Sequence, residues 1–219
     1  MSVGGKFEVL LEGGTALLVE IVEETRRSSV ARVLETRSVA PLPRPHVHLV
    51  LSMPRLPVFE AVIEKATELG VAAVHPVFSD HSFIRAADDA LEKKRPRWEK
   101  IVLGATQQCG RGELMGLFPA ERLDVVASTF NRSGGAVGLF VYEAAGGRDA
   151  KSGLAPAKGA DLRQVWLFVG SEGGFSGREA EMFRGLGMQP ITLGPQVLRV
   201  ETACVALVAI LKYELDQMR

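Results

Sequence analysis

Short segments rich in apolar residues open the chain and predict three β-strands. The segments are residues 6–11, 16–22 and 29–35. Gly13 and Gly14 mark a hairpin-type connection between the first two strands. The proline-rich segment 41–45 that follows should be stiff, because each proline fixes its own φ angle and restrains the residue before it. We therefore predict a small β-domain over residues 1–42.

From residue 43 to residue 219, apolar runs alternate with amphipathic stretches, a pattern typical of an α/β domain. The predicted strands are residues 46–53, 72–78, 137–142, 165–170 and 189–194. The predicted helices cover residues 58–71 and 95–108, a segment that starts at Ser176, and residues 203–215. Such short strand-helix-strand units favour a mostly parallel sheet with right-handed crossovers. Residues 151–163 lack periodicity and are predicted to be a loop.

The last predicted helix is apolar on nearly every side, so it must be buried all round. Its burial is inside the domain, against a second subunit, or both. Thr202 is the expected N-cap of this helix. The segment Leu198 to Thr202 at its entrance includes Arg199 and Glu201, which places charged groups beside a buried helix.

Two glycine-marked loops follow predicted strands near the end of the chain, GSEGGFSGRE at 170–179 and LGPQVLRVETA at 193–203. Open α/β sheets bind ligands at the carboxyl edge of their strands, where both loops should lie. Gly173 and Gly174 permit backbone angles and close ligand approach that a Cβ atom would forbid. The S-x-x-E spacing from Ser176 predicts a capping box at the start of a helix. The first loop alone is equally consistent with a structural turn.

Charge and cysteine content bear on the binding partners and the cellular compartment of the protein. The chain has 26 basic and 26 acidic residues. This balance argues mildly against nucleic-acid binding, although a dimer can gather lysine and arginine in one groove. Cys109 and Cys204 fit no metal spacing, which favours a reduced intracellular protein. No apolar run is long enough to span a membrane, and we expect a cytoplasmic protein.

The two loops, together with KATELGV at 65–71 and TQQCGR at 106–111, resemble the bacterial family E methyltransferases of small-subunit (16S) ribosomal RNA. The resemblance covers nearly the whole chain. It implies a member of the SPOUT superfamily that methylates uridine at N3, with S-adenosylmethionine held by the loops of a C-terminal trefoil knot near residues 165–215. It also implies a homodimer formed through the C-terminal helix and knot, and a PUA-like RNA-binding domain ahead of the catalytic one.

Site residues follow from placing the family's chemistry on these motifs. The residues expected to bind the cofactor are Leu139, Val169, Gly170, Glu172, Gly173, Gly174, Leu193, Gly194, Val197, Leu198 and Thr202. Uridine N3 carries a proton at neutral pH, so the reaction needs a base or a group that stabilises negative charge. Arg199 is the candidate for the charge on a uracil carbonyl or for the target phosphate, and Glu201 is the candidate base.

Each of these assignments has a structural alternative. Arg199 and Glu201 are equally able to form a local salt bridge that fastens the knot. Glu172 is equally able to bond amides of its own loop, and Leu139 is equally consistent with plain core. The residues expected on the RNA groove are Arg55, Lys65, Arg85 and Arg111. An ion pair between Lys65 and Glu68, three residues apart on one helix face, is the alternative for Lys65.

Two departures from the family pattern carry expectations of their own. Ser171 stands where the family usually has proline, which should loosen the first loop slightly. Residues 4–35 resemble the middle and end of the PUA-like domain, so the family's opening strand and arginine-bearing helix have no counterpart. A barrel that lacks its first strand exposes an unpaired edge. We expect Met1 to be an internal methionine of a longer natural protein; the alternative is a trimmed domain.

The leading hypothesis is an S-adenosylmethionine-dependent uridine-N3 methyltransferase of 16S rRNA in the small ribosomal subunit. A second hypothesis is another SPOUT enzyme that methylates a different RNA base or a ribose hydroxyl. A third is a non-catalytic RNA-binding or assembly protein with a relic cofactor pocket, which weak or absent cofactor binding would favour.

Overall fold

The chain folds into a small antiparallel sheet followed by a large parallel sheet with helices on both faces. The computed structural model describes residues 2–11, 13–86, 89–130, 134–142, 148–155 and 161–218. The two sheets and their helices confirm the predicted α/β class with a mostly parallel sheet.

The small sheet has the strand order β1-β2-β3. Its strands are β1 (Lys6–Leu11), β2 (Thr15–Glu24) and β3 (Ser29–Ser38), and both pairings are antiparallel. All three predicted strands are present. Ala16, Val19 and Ile21 bury one side of β2, whereas β3 is exposed along its whole length.

The large sheet has the order β6-β5-β4-β10-β8-β11-β9, with β7 paired to β5. Its long strands are β4 (His46–Ser52), β5 (Ala73–Phe78), β8 (Ala136–Val141), β10 (Gln164–Val169) and β11 (Gln189–Thr192). Its two-residue edge strands are β6 (Gly116–Leu117), β7 (Glu121–Arg122) and β9 (Arg148–Asp149). Every pairing among the described strands of this sheet is parallel. The carboxyl ends of β8, β10 and β11 therefore meet at one edge.

Helices cover both faces of this sheet because the central strands carry apolar side chains on both faces. The helices are α1 (Leu56–Glu68), α2 (Asp89–Glu92), α3 (Arg95–Cys109), α4 (Leu123–Thr129), α5 (Ala150–Leu154), α6 (Gly177–Gly185) and α7 (Val200–Glu214). One core joins α1, α3 and α7 to Leu49 and Leu167. The other joins α4 and α6 to Phe140 and Phe168. No helix in the described ranges has the length and hydrophobicity needed to cross a membrane.

Two local predictions were wrong. Residues 150–154 form α5 instead of a loop, because the carboxylate of Asp149 caps the turn by accepting a hydrogen bond from the Ser152 amide at 2.9 Å. Residues 156–160 of that predicted loop lie outside the described residues. Helix α7 begins at Val200, so Thr202 lies inside the first turn and cannot be its N-cap. Arg199, with an extended backbone, occupies the cap position.

Helix α7 is buried on only one side within a single chain. Cys204, Leu207 and Leu211 are almost fully buried against the core. On the opposite side Ile210 is 39% exposed and Tyr213 is 71% exposed. The expectation of burial all round is therefore not met inside one copy of the chain.

Candidate active site

A cavity of about 710 Å³ opens at the carboxyl edge of β8, β10 and β11. Ligand pockets have volumes of roughly 300–1,000 Å³, so this cavity is large enough for a cofactor. Both predicted glycine loops contribute to its wall. The described residues that line it are Arg55, Val58, Val141, Tyr142, Val169, Gly170, Ser171, Glu172, Gly173, Gly174, Phe175, Thr192, Leu193, Gly194, Gln196, Val197, Leu198, Arg199, Val200, Glu201 and Ala203.

The first glycine loop is a tight turn directly after β10. The Gly174 amide donates to the Ser171 carbonyl at 2.9 Å, and Gly174 has a φ angle of +66°. A Cβ atom on Gly170 would stand 2.7 Å from the main chain of Gly174. Glycine is therefore required at Gly170 for close approach and at Gly174 for its backbone angle.

Residues 79–83, which follow β5 and are here called the β5 turn, hold this loop in place. The Ser171 hydroxyl donates a 2.5 Å hydrogen bond to the His81 carbonyl, and the ring Nδ1 of His81 lies 2.9 Å from the Gly173 carbonyl. Ser171 is 5% exposed. The serine thus supplies a contact at the position where the family resemblance led us to expect a looser loop.

The start of α6 is fastened to the same turn. Ser176 and Glu179 form the predicted capping box. The other Glu179 oxygen accepts from the Asp80 amide at 2.8 Å, and the Ser176 hydroxyl donates to Asp80 at 2.6 Å. The Ser176 hydroxyl and then the Arg178 guanidinium, which donates at 2.7 Å, hold the pKa of the Asp80 carboxyl below its usual value.

The second glycine loop, residues 193–199, lies between β11 and α7. Gly194 has a φ angle of +107°, which side chains rarely adopt. Its amide and carbonyl both bond the Thr192 hydroxyl, at 3.3 and 3.2 Å. Val197 is 78% exposed and Leu198 is half-buried. The loop therefore presents the apolar side chains of Val197 and Leu198 to the cavity.

Charged side chains line the cavity without neutralising one another. Arg199 is exposed and Glu201 is half-buried. No ion pair joins Arg199 to Glu201 in the structure, so the alternative of a local salt bridge is not observed. Among the described residues, the Glu172 carboxylate accepts no hydrogen bond from the amides of its loop either. These charged groups thus remain available to a ligand.

Two of the four residues predicted to contact RNA, Arg55 and Arg85, are accessible to a ligand. The other two, Lys65 and Arg111, are engaged in contacts within the chain. Arg55 lines the cavity mouth, with its guanidinium carbon 5.0 Å from the centre of the Phe83 ring, and Arg85 is exposed two residues beyond Phe83. Lys65 instead forms ion pairs with Glu68 at 2.9 Å and with its neighbour Glu64. The structural alternative for Lys65 is therefore the one observed.

Arg111 is turned inward and is only 8% exposed. Its Nη1 atom donates to the carbonyls of Thr67 and Val71 at 3.1 and 2.9 Å. Lys212 donates to the Gly70 carbonyl at 3.1 Å. Both side chains thus donate to carbonyls in the last turn of α1 and in the residues just after it, where the Thr67 carbonyl also accepts from the Gly70 amide at 3.0 Å. Because of this burial, Arg111 does not present its charge on a groove, and its predicted RNA role is not supported.

Two predicted cofactor residues do not line the cavity. Leu139 is fully buried in the core, which is the alternative left open for it, and Thr202 is exposed on the first turn of α7. The neighbouring Val141 and Tyr142 line the cavity instead. Their signal was present in the sequence, since they end the apolar run of β8, where ligand-binding positions of an α/β sheet are expected.

A separate cluster of stacked rings lies toward the amino ends of β4, β5 and β10. The His48 ring lies 4.9 Å from the Trp166 ring, and His48 Nδ1 is 3.1 Å from His75 Nε2. Burial lowers the pKa of both histidines to about 4; the charge of His46 adds to this effect on His48, and that of His48 adds to it on His75. Both rings are neutral at pH 7. Phe118 stacks on His75 at 4.3 Å and is 49% exposed.

Comparison with known proteins places the chain in one family. Residues 40–212 match the model of the RNA methyltransferase domain. The chain is 29% identical to the ribosomal RNA small subunit methyltransferase E of Aquifex aeolicus (strain VF5), over 94% of this chain and 84% of that protein. It is 30% identical to the protein of the same name from Mesomycoplasma hyopneumoniae (strain 232), over 87% of this chain and 78% of that protein.

Solved structures agree with this assignment. A putative methyltransferase of Legionella pneumophila, in complex with the bound cofactor SAM, superposes with a TM-score of 0.86 at 25% identity, over 97% of this chain and 84% of that chain. A ribosomal RNA small subunit methyltransferase E from Neisseria gonorrhoeae shares the fold with a TM-score of 0.81 at 22% identity, over 97% and 84% of the two chains. The chain belongs to the family of ribosomal RNA small subunit methyltransferases E.

Proposed function

We propose that the protein transfers a methyl group from S-adenosylmethionine to N3 of a uridine in the 16S rRNA of the small ribosomal subunit. The observation that carries the proposal is the cavity that two glycine loops build at one sheet edge. Family membership and a SAM-bound relative of the same fold support the cofactor. The enzymatic role is favoured over a relic pocket because Arg199 and Glu201 both line this cavity and form no ion pair with each other within the described part of the chain.

The residues present fit S-adenosylmethionine, which supplies an electrophilic methyl group on a cationic sulfur. Close-packed glycines leave backbone groups accessible, and the exposed Glu172 offers a carboxylate to a cationic ligand. Apolar side chains offer surface to an adenine ring. The residues that we propose hold the cofactor are Val169, Gly170, Glu172, Gly173, Gly174, Leu193, Gly194, Val197 and Leu198.

Two side chains of the chain itself are proposed to prepare the uridine. Glu201 accepts the proton from N3, which frees a lone pair for attack. Arg199 donates hydrogen bonds to a uracil carbonyl and stabilises the negative charge that develops there. Both residues line the cavity beside the second glycine loop, so each reaches a base that enters from solvent. Arg55 and Arg85 are the groups that we propose contact the RNA backbone.

The larger assembly is also part of the proposal. We propose a SPOUT domain over residues 43–219 with a trefoil knot near 165–215, and a PUA-like RNA-binding domain over residues 1–42. The exposed apolar side chains of α7, including Ile210 and Tyr213, support a homodimer through that helix and the knot. Because ribosomal RNA is a cytoplasmic substrate, we propose a cytoplasmic protein.

Calorimetric titration with S-adenosylmethionine tests the cofactor site. The protein should bind, and a Gly194→Trp variant, designed to fill the cavity, should not. Since any side chain at this φ angle is strained, Gly194→Ala is the matched control: it carries the strain without the volume and should retain binding. Equal affinity of the Trp variant and the unaltered protein would contradict the site.

Methylation of purified small ribosomal subunits tests the reaction. Mass spectrometry of nucleosides from the treated 16S rRNA should detect N3-methyluridine. A methylated ribose or another base would place the protein with a different SPOUT activity, and cofactor binding without any transfer would contradict the proposed enzyme.

A further inference from the structure

Phe83 presents a large aromatic ring to solvent from the β5 turn, with 58% of its surface exposed. The turn beneath it is firmly bonded. The Phe83 amide donates to the Met53 carbonyl at 2.9 Å. The neighbouring Ser82, only 2% exposed, lies 2.9 Å from the Ser52 hydroxyl and accepts from the Ser79 amide at 2.8 Å. The ring is therefore held outward by a rigid turn.

One arginine contacts this ring, and a second follows it in the chain. The Arg55 guanidinium lies over Phe83 and also lines the cavity mouth, so it stands between the ring and the cavity. Arg85, two residues farther along, is exposed. Neither arginine forms an ion pair with a carboxylate in the part of the chain that the structure describes. An exposed aromatic ring in contact with one arginine, with a second exposed arginine two residues along the chain, has the composition of a site for single-stranded nucleic acid.

We propose that Phe83 and Arg55 form a stacking platform for an RNA base that flanks the reactive uridine. The inference rests on the proposed function and adds a contact to it. Unpaired bases stack on aromatic rings and on guanidinium planes, whereas bases inside a duplex keep their faces covered. Phe83 does not line the cavity, whereas Arg55 does. The platform thus receives a neighbour of the base that enters the cavity.

Kinetics with purified, unmethylated small ribosomal subunits test the platform through a Phe83→Leu variant, which keeps apolar volume but removes the aromatic face. A stacked base contributes about 1–3 kcal/mol, so KM for the subunits should rise about tenfold. The kcat should stay within about twofold, because the flanking base does not react. Phe83→Trp should restore KM. Phe118→Leu, which alters another half-exposed ring away from the cavity, is the matched control and should leave KM unchanged.

Direct readouts separate this inference from the proposed function. Filter binding to the same subunits should show the same loss of affinity for Phe83→Leu even if no methyl group is transferred, a result that would overturn only the proposed reaction. Unchanged affinity, an equal loss in Phe118→Leu, or a lower kcat at unchanged KM would overturn the platform. So would a change in sedimentation coefficient for Phe83→Leu, because the ring would then be a contact between copies of the chain.

Discussion

The guanidinium of Arg111 donates a 3.1 Å hydrogen bond to the main-chain carbonyl of Thr67, 44 residues earlier in the chain. This contact joins the two upstream motifs, KATELGV and TQQCGR, at the end of α1. Gly70, with a φ angle of +72°, turns the chain there so that the Val71 amide bonds the Ala66 carbonyl at 2.9 Å. The motifs therefore have a structural reason to occur together.

Replacing Arg111 with alanine should lower the free energy of unfolding by about 1–3 kcal/mol. The Val71 carbonyl loses its side-chain donor, and the Thr67 carbonyl keeps only the Gly70 amide. Urea denaturation measures this change. Arg122→Ala is the control: Arg122 is 71% exposed and pairs with Asp124 on the surface, so its loss should cost less than about 1 kcal/mol. Full stability of Arg111→Ala together with weaker RNA binding would instead support the prediction that Arg111 contacts RNA.

Two glycines of one segment should respond oppositely to alanine. In Gly170→Ala the new Cβ would stand 2.7 Å from the Gly174 main chain, so the loop must shift. We expect the Kd for S-adenosylmethionine to rise at least about tenfold, since backbone groups are displaced. Gly177 begins α6 and has open space around it, so Gly177→Ala should bind normally and be slightly more stable. Calorimetry decides, and normal binding by Gly170→Ala would contradict the role of the loop.

Arg199→Ala should impair turnover far more than cofactor binding. Removal of one donor to a developing negative charge costs roughly 10²–10³ in kcat, and Arg199 has no ion-pair partner at Glu201 whose loss would disturb the loop. Single-turnover rates and the Kd for S-adenosylmethionine, measured side by side, check this. A turnover equal to that of the unaltered protein removes Arg199 from the mechanism.

Glu201→Gln keeps the size of the side chain but cannot accept the N3 proton. The rate should fall by about 10²–10⁴, the usual contribution of a positioned base, whereas the melting temperature should stay close to that of the unaltered protein. The dependence of the rate on pH is the second measurement, since hydroxide should partly replace the lost base at alkaline pH. An unchanged rate at neutral pH would exclude Glu201 as the base.

Acid should destabilise the protein through His48 and His75. Their pKa values are about 4 in the folded protein against 6.5 for the free side chain. The unfolded chain therefore binds protons first, and the free energy of unfolding falls as pH decreases from about 6.5 to about 4. Below pH 4 both states are protonated and the effect is constant.

A His48→Gln, His75→Gln double variant isolates this effect. Urea unfolding at several pH values should show a smaller slope between pH 4 and 6.5 for the variant than for the unaltered protein. Above pH 6.5, where both rings are neutral, the two slopes should agree. Equal slopes throughout would mean that these rings titrate normally in the folded state.

The elements of the sheet could be predicted because buried strands and amphipathic helices leave different periods in the sequence. The five long strands of the large sheet all coincide with apolar runs in the sequence. Helix α5 left no such period: it is one short turn-like element held by the cap at Asp149. Its Gly153 packs so closely on β11 that a Cβ would stand 2.7 Å from Ile191. That contact depends on tertiary structure.

The candidate site was predictable only where one segment suffices. The capping box at Ser176 and the close-packed turn at Gly174 depend on neighbours in sequence, and both are present. The burial of Arg111 depends on the carbonyls of Thr67 and Val71, which lie beside its guanidinium only after the chain has folded. The contact between Arg55 and Phe83 likewise joins the ends of two strands, and nothing in either segment alone indicates it.

The β5 turn connects the two sites that we propose. It carries Phe83, and it is bonded to the first glycine loop through Ser171 and to α6 through Glu179. We therefore expect thermodynamic linkage between RNA and cofactor. The factor by which bound cofactor changes the affinity for RNA must then equal the factor by which bound RNA changes the affinity for cofactor. Each ligand would then change the affinity of the protein for the other. The hydrogen bond donated by the Ser171 hydroxyl would contribute to the size of this coupling.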